Sequence, residues 1–448
     1  MNKTRDPVDM LHGPLAMKLI VFTLPIALSS MLQQLFNAAD TSVVGHFADS
    51  NTLAAVGTNG EIVALLVTLS AGLSIGANVL LARCIGKKKS EQISGILHTA
   101  LVLSLLIGLL GTILGQFASR PLLTLIRTPE EILDAAVLYL RIYFCGFPFL
   151  MLYDFGSAIL RAKGNSRFPF VALILSGILN VLLNLLFVIG CRAGVAGVAA
   201  ATGISNAVSA FLVLWKLHME PDEFQFQIRA LRLHRDYLAE ILMIGIPSAV
   251  QGAVFCFANI FVQASVNSFG AIATAGSTIA MNFEYFGYFV ITAFGQAATT
   301  FISQNYAAGE ISRCRRILGI CLISSFLFSA LITVPLTVFR PAASRLFSSD
   351  PAVIEAACVR IGIILLFEPV CGFYETTAGV LRGTGHSTLP AVVTVIGTCL
   401  VRIVWIFTGF RSIHTPKSLF VIFPVSWAIT IGLMTGSFLI CRPFHRKD

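Results

Sequence analysis

Charge is scarce in this sequence. Its 31 basic and 22 acidic side chains make up 12% of 448 residues, where a soluble domain carries about 25%. A chain of this length could form two or three soluble domains, but so little polar surface could not cover them. Hydrophobic residues supply 56% of the chain, and the mean hydropathy is +0.84. Soluble enzymes, nucleic-acid binders and secreted disulfide scaffolds are thereby excluded. The sequence reads as an integral membrane protein.

Paired cysteines are lacking too. The ten Cys contain no Cys-x-x-Cys pair and no His/Cys spacing of a zinc site. Scattered in apolar contexts, they read as small hydrophobes. No Walker A sequence is present, so the chain offers no ATP site of its own. The eight His are dispersed, and no acids cluster to hold Mg²⁺. Neither an enzyme nor a cofactor is expected, and energy must come from an ion gradient unless transport is passive. No small-residue cleavage site follows the first apolar run, which is expected to remain as a span.

Apolar runs, by contrast, are abundant. A helical span needs about 20 mostly apolar residues. Twelve such runs occur, roughly 19–44, 53–82, 93–117, 132–160, 168–189, 195–215, 238–266, 273–302, 317–339, 353–381, 389–410 and 419–441. Short segments of alternating polarity, the mark of a membrane barrel, are not seen. With both termini inside, the inner segments hold 21 Lys and Arg, among them Lys3, Arg5, Arg446 and Lys447, against 7 outside. That asymmetry sets the orientation. It accounts for the net charge of +9 and the pI near 9.2 without an acidic partner.

The longest inner connection, 216–237, separates a lobe at 1–215 from one at 238–448. The lobes repeat. Pro25 precedes Pro247 by 222 residues, and Asn37 precedes Asn259 by the same 222. Thr128-Pro129 matches Asp350-Pro351, Tyr153-Asp154 matches Tyr374-Glu375, and Leu160-Arg161 matches Leu381-Arg382. Six spans per half make both halves enter from one face, a parallel repeat of the kind found in secondary transporters. The expected fold is all-α, with twelve transmembrane helices in two six-helix lobes.

Ionisable groups inside a bilayer cost about 2.5–3.5 kcal/mol on insertion scales and mark function. Six acids qualify by position: Asp40, Glu61, Asp154, Glu284, Glu368 and Glu375. Asp40 stands out, because Gln33, Asn37, Asp40 and Thr41 form one polar stripe on an apolar helix. Ser176, Asn180 and Asn184 form a second stripe, and Thr202 lies on span 6. Carboxylate, amide and hydroxyl oxygens suit a hard cation such as Na⁺; the same carboxylate could hold a proton. Span 7 carries Gln251, Asn259, Gln263 and Asn267, but Val262 stands where the repeat would place a second Asp40. Asp154 and Glu375 each precede an Arg by seven residues, on the same helix face. Glu284 lies among Phe283, Tyr285, Phe286, Tyr288 and Phe289, a setting that suits an organic cation.

The run Asn37-Ala38-Ala39-Asp40-Thr41-Ser42-Val43-Val44-Gly45, followed by Leu53-Ala54-Ala55-Val56-Gly57, resembles the opening signature of the multidrug and toxic compound extrusion (MATE) family. Gln304-Asn305-Tyr306-Ala307-Ala308-Gly309 and the Leu-Arg-x-x-Gly runs at 160–164 and 381–385 match as well. The resemblance spans essentially the whole chain. It implies a bacterial antiporter of the plasma membrane that exports organic, cationic amphiphiles in exchange for Na⁺ or H⁺. It is expected to be a monomer with a small-molecule substrate and no nucleic-acid partner. It further implies Asp40 as the coupling residue, with Asn37, Asn180, Asn184 and Thr202 beside it, and it leaves Gln34, Glu284, Tyr285, Asp154, Glu375 and Glu368 as substrate or gating candidates. Some members carry an acid at the position of Asn184, where this chain has an amide.

A flippase for lipid-linked oligosaccharide is the alternative. It would need a cationic groove for pyrophosphate. The candidates Arg141, Arg360 and Arg402 are read as lying near span ends, which argues against it.

Overall fold

The protein is described by a computed structural model covering residues 7–47 and 50–445, without the side chain of Ser50. Lys3, Arg5, Arg446 and Lys447 of the inner rim lie outside the described residues. Among the described residues the regular structure is entirely helical. Helices α1 (Leu15–Phe47), α2 (Ser50–Thr58), α3 (Gly60–Gly86), α4 (Ser90–Leu125), α5 (Glu130–Ala162), α6 (Arg167–Leu185) and α7 (Gly194–His218) form the first half. The second half holds α8 (Arg235–Asn267), α9 (Ala271–Ala307), α10 (Ile311–Val338), α11 (Arg340–Arg345), α12 (Pro351–Phe367), α13 (Cys371–Thr384), α14 (Thr388–Thr394), α15 (Val401–Phe407), α16 (Gly409–Ser412) and α17 (Pro416–Cys441).

Local chemistry sets several ends. At α12, Asp350 accepts from the Ala352 amide at 2.9 Å and Pro351 opens the first turn. At α13 the chain leaves through Gly385, whose φ of +107° any side chain would strain. The Gly383-Thr384-Gly385 run thus ends the helix. α2 and α3 are separated at Asn59, whose amide donates to Ala55 O at 2.8 Å and Ala136 O at 3.1 Å, fixing the bend onto α5.

Among the described residues, ten helical segments are long and apolar enough to cross a membrane. Twelve runs were expected, and the two that fall short have visible reasons. α9 carries Asn282, Glu284, Gln296, Gln304 and Asn305 along its length. The tenth run is broken at Glu368–Val370 by a tighter 3₁₀ turn containing Pro369.

The chain forms two compact units. One comprises Met1–Val8 with Leu28–Ala249; the other comprises Asp9–Ala27 with Val250–Asp448. The boundaries at 27/28 and 249/250 each fall just past a repeated in-helix proline, Pro25 in α1 and Pro247 in α8. Residues 9–27, which span order assigns to the first lobe, therefore belong to the second unit, and 238–249 belong to the first. In the second unit Asn305 and Arg313 both donate to the carbonyl of buried Met10 at 3.1 Å, which docks the segment before α1.

In the first unit α5 packs against α3, α4 and α7 around Leu81, Leu97, Met151 and Phe155. In the second, α9 packs against α10, α12 and α13, and α17 covers α12 and α13. Lipid is as apolar as the helix surfaces, so close contact and not transfer from water holds these helices together. Glycine permits that approach at Gly379, where a Cβ would lie 2.3 Å from Gly295 O.

Candidate functional site

The first unit builds a carboxylate–amide cluster from two helices distant in sequence. Asn184, near the end of α6, donates from Nδ2 to Asp40 Oδ1 on α1 at 2.5 Å. Asn180 lies one turn earlier on the same face. With its amide nitrogen turned to the acid, it donates to Oδ1 at 2.7 Å and Oδ2 at 3.2 Å. Both asparagines are buried. Asn184 Oδ1 is buried too and has no hydrogen-bond partner among the described residues. The polar stripes of spans 1 and 5 thus meet, which their spacing alone could not show. A carboxylate held by two amides, with an unused amide oxygen alongside, can accept a hard cation or a proton.

The other expected members stand outside this contact. Asn37 is exposed, and Thr202 donates to Val198 O within its own helix at 3.1 Å. Gln34 is half-buried on α1, and Glu61 is exposed at the start of α3. Asp154 Oδ2 is buried without a partner among the described residues.

The second unit contains a partly open cavity of about 110 Å³ lined by aromatic, polar and charged side chains. Glu284, Tyr285 and Glu368 line it, as do Asn259, Arg360 and Arg402. Two sequence readings need correction here. Glu284 is not a lone acid over aromatic faces: Arg360 grips it with Nε to Oε1 at 2.7 Å and Nη2 to Oε2 at 2.8 Å. This bidentate pair removes the free negative charge that an organic cation would meet. Nor do Arg360 and Arg402 lie near span ends. Arg360 sits in the middle of α12, and Arg402 opens α15 midway along the segment Thr388–Ser412, just after a π-helical stretch at Val395–Leu400. Both are buried, 3% and 2% exposed. Arg141 is exposed on α5.

Seven-residue spacing pairs Glu375 with Arg382, at 3.3 Å, and Arg382 also donates to Gln251 Oε1 at 3.0 Å. Its repeat mate Arg161 makes no ion pair with Asp154 within 4.0 Å. The lobes repeat in sequence but not in this network. Arg360 and Arg402, weighed in the sequence only for a cationic groove and read there as near span ends, are buried residues of this site; their signal is an arginine inside an apolar run.

Comparison with known proteins agrees with this architecture. The MatE family profile matches twice, over residues 25–186 and 247–408, starting at the two repeated prolines. A Bacillus subtilis relative described as "Probable multidrug resistance protein YoeA" is 24% identical, covering 93% of this chain and 92% of its own. A Shewanella oneidensis protein described as "FAD transporter" is 26% identical, covering 83% and 85%. A solved structure titled as the outward-facing conformation of a multidrug resistance MATE family transporter of the MOP superfamily superposes with TM-score 0.89 at 21% identity, covering 99% of both chains. Two tandem matches over most of the chain, on an all-helical two-unit frame, place it in the MatE family: it is a multi-pass membrane transporter and not an enzyme.

Proposed function

We propose that the chain is a secondary antiporter that exports organic compounds across the plasma membrane in exchange for Na⁺ or H⁺, with Asp40 as the coupling group. The observation that carries this reading is the contact between Asp40 and Asn184. It places a carboxylate, with no cationic partner within 4.0 Å among the described residues, beside the unused Oδ1 of Asn184, in a span that carries no other Asp, Glu, Lys or Arg after Lys18. Such a group needs a cation or a proton. Loading it with either gives the gradient a place to act.

Relatives are named for drugs and for FAD, so organic compounds are the substrate class at this level. The cationic preference inferred from Glu284 loses its ground, because Arg360 neutralises that acid.

The test is efflux of a fluorescent dye from proteoliposomes under a Na⁺ gradient and, separately, a pH gradient. One gradient should drive export in the unaltered protein, and Asp40→Asn should abolish it while the protein still purifies as a folded species. Full gradient-driven export by Asp40→Asn would sink the coupling role.

A further inference from the structure

We propose that the cavity of the second unit binds a flat aromatic molecule bearing one oxyanion, a carboxylate or a phosphate, with Arg402 as its charged anchor. This rests on the reading of the chain as a transporter of organic compounds and names the class that this cavity selects.

Arg402 is a buried cation without a counter-ion. It is 2% exposed, and its Nε donates to Ser426 Oγ at 3.1 Å. Among the described residues no Asp or Glu oxygen lies within 4.0 Å of it. A guanidinium keeps its charge in proteins, and a desolvated charge needs a partner. The Phe423 ring lies 4.0 Å from its central carbon, with Trp427 at 5.9 Å and Phe255 at 6.0 Å. These faces ease the desolvation but cannot neutralise the charge. Ser426 occupies Nε, and the terminal nitrogens remain as a planar two-donor fork, which fits carboxylate and phosphate oxygens.

The other charges of the cavity do not cancel Arg402. Glu284 is taken by Arg360 through two hydrogen bonds. Glu368 turns its carboxyl against α9 and α10. A Cβ on Gly287 would lie 2.6 Å from Glu368 Oε2 and 2.6 Å from the Thr333 methyl. Arg402 instead rests on Ser426, Phe423 and Trp427 of α17. An incoming oxyanion therefore has one cationic wall to choose.

The remaining surface favours a ring. Phe255 and Tyr288 both line the cavity, their rings parallel within 1° and their centroids 6.3 Å apart, and give it an aromatic wall. The cavity of about 110 Å³ is of the size that holds a single aromatic ring. A bare inorganic anion would leave that wall unused.

The experiment is equilibrium binding to the full-length protein in lipid nanodiscs, with no gradient imposed. The probes are benzoate, phenyl phosphate, methyl benzoate and benzylammonium. At least one of the two anions should bind about ten-fold or more tighter than the ester, and the cation should bind no better than the ester. Arg402→Gln should reduce the anion to the affinity of the ester, and Met281→Trp, which fills the cavity, should abolish the preference. Equal affinity for acid and ester in the unaltered protein overturns the proposal, as does preference for the cation or an anion preference that survives Met281→Trp. The ester comparison needs no variant, so a poorly folding Arg402→Gln leaves the test intact. Failure of gradient-driven efflux would sink the exporter reading and leave this binding result standing; equality of acid and ester would do the reverse.

Discussion

Asn184 donates to Asp40 across 2.5 Å and joins helices that begin at Leu15 and Arg167. Among the described residues, the carboxylate takes its donors from amides and none from a lysine or arginine. A hydrogen bond to a charged group contributes about 1.5–3 kcal/mol. Asn184→Ala removes one donor and one candidate cation-coordinating oxygen while leaving Asp40 in place. Under a Na⁺ gradient the half-saturating Na⁺ concentration should rise about ten-fold, with the maximal rate changed less. Dye efflux measured against external Na⁺ checks this. A shift below two-fold would assign Asn184 to packing.

The Glu284–Arg360 pair predicts an asymmetry between single and double changes. Arg360 is buried, Glu284 is largely so with its side chain 13% exposed, and Arg360 also donates to Ser277 Oγ at 2.5 Å. Removing one partner of such a pair leaves a lone buried charge, which costs about 3–5 kcal/mol. Glu284→Gln and Arg360→Met should each lower the thermal midpoint of the purified protein. The double change should cost much less than the sum, because it leaves no orphan charge. Additive losses would show that the two groups act through separate neighbours.

Much of this architecture is legible in the sequence, and the reasons are physical. Apolar runs of membrane length, the excess of inner Lys and Arg, and the offset between Pro25 and Pro247 each follow from what a bilayer demands of a chain. Asp40 stands out because a carboxylate in an apolar helix has no cheap explanation. The contact of Asp40 with Asn184 is not legible, since spacing fixes a helix face but not the neighbour it meets. Glu284 misleads for the same reason: its aromatic neighbours are adjacent in sequence, whereas Arg360 lies 76 residues away and arrives only through the packing of α12 on α9. The tenth span shows a third limit. Pro148 lies inside an unbroken α5, yet its repeat mate Pro369 sits in a 3₁₀ turn that divides α12 from α13.

Close backbone approach predicts where small residues are required. A Cβ at Gly379 would lie 2.3 Å from Gly295 O and 3.1 Å from Thr299 Oγ1. The first of these neighbours is backbone and cannot swing aside. Gly379→Ala should therefore force α13 off α9 at a cost of about 1–3 kcal/mol. Gly432 and Gly436 on α17 have open space at the same position, so Gly432→Ala should leave the thermal midpoint unchanged or slightly raised. Equal behaviour of the Gly379 and Gly432 variants would refute the close-packing account.

The inner connection supplies a pH-dependent prediction. Glu220 accepts from Lys163 at 2.6 Å and from Lys216 at 2.8 Å, while Lys163 also reaches Asp222 at 2.5 Å and lies 5.1 Å from the Phe224 ring. Burial alone would raise the Glu220 carboxyl, but hydrogen bonds from the two lysines more than offset it and hold it below its ordinary 4.5. A depressed carboxyl contributes stability that is fully present above its unfolded value and is lost as pH falls through the folded one. The contribution is on the order of 1 kcal/mol once solvent screening at this partly exposed site is allowed for. The thermal midpoint of the unaltered protein should therefore exceed that of Glu220→Gln at pH 7, and the gap should narrow as pH drops below about 4.5. A gap that stays constant down to pH 3 would mean that Glu220 stabilises the connection through packing and not through its charge.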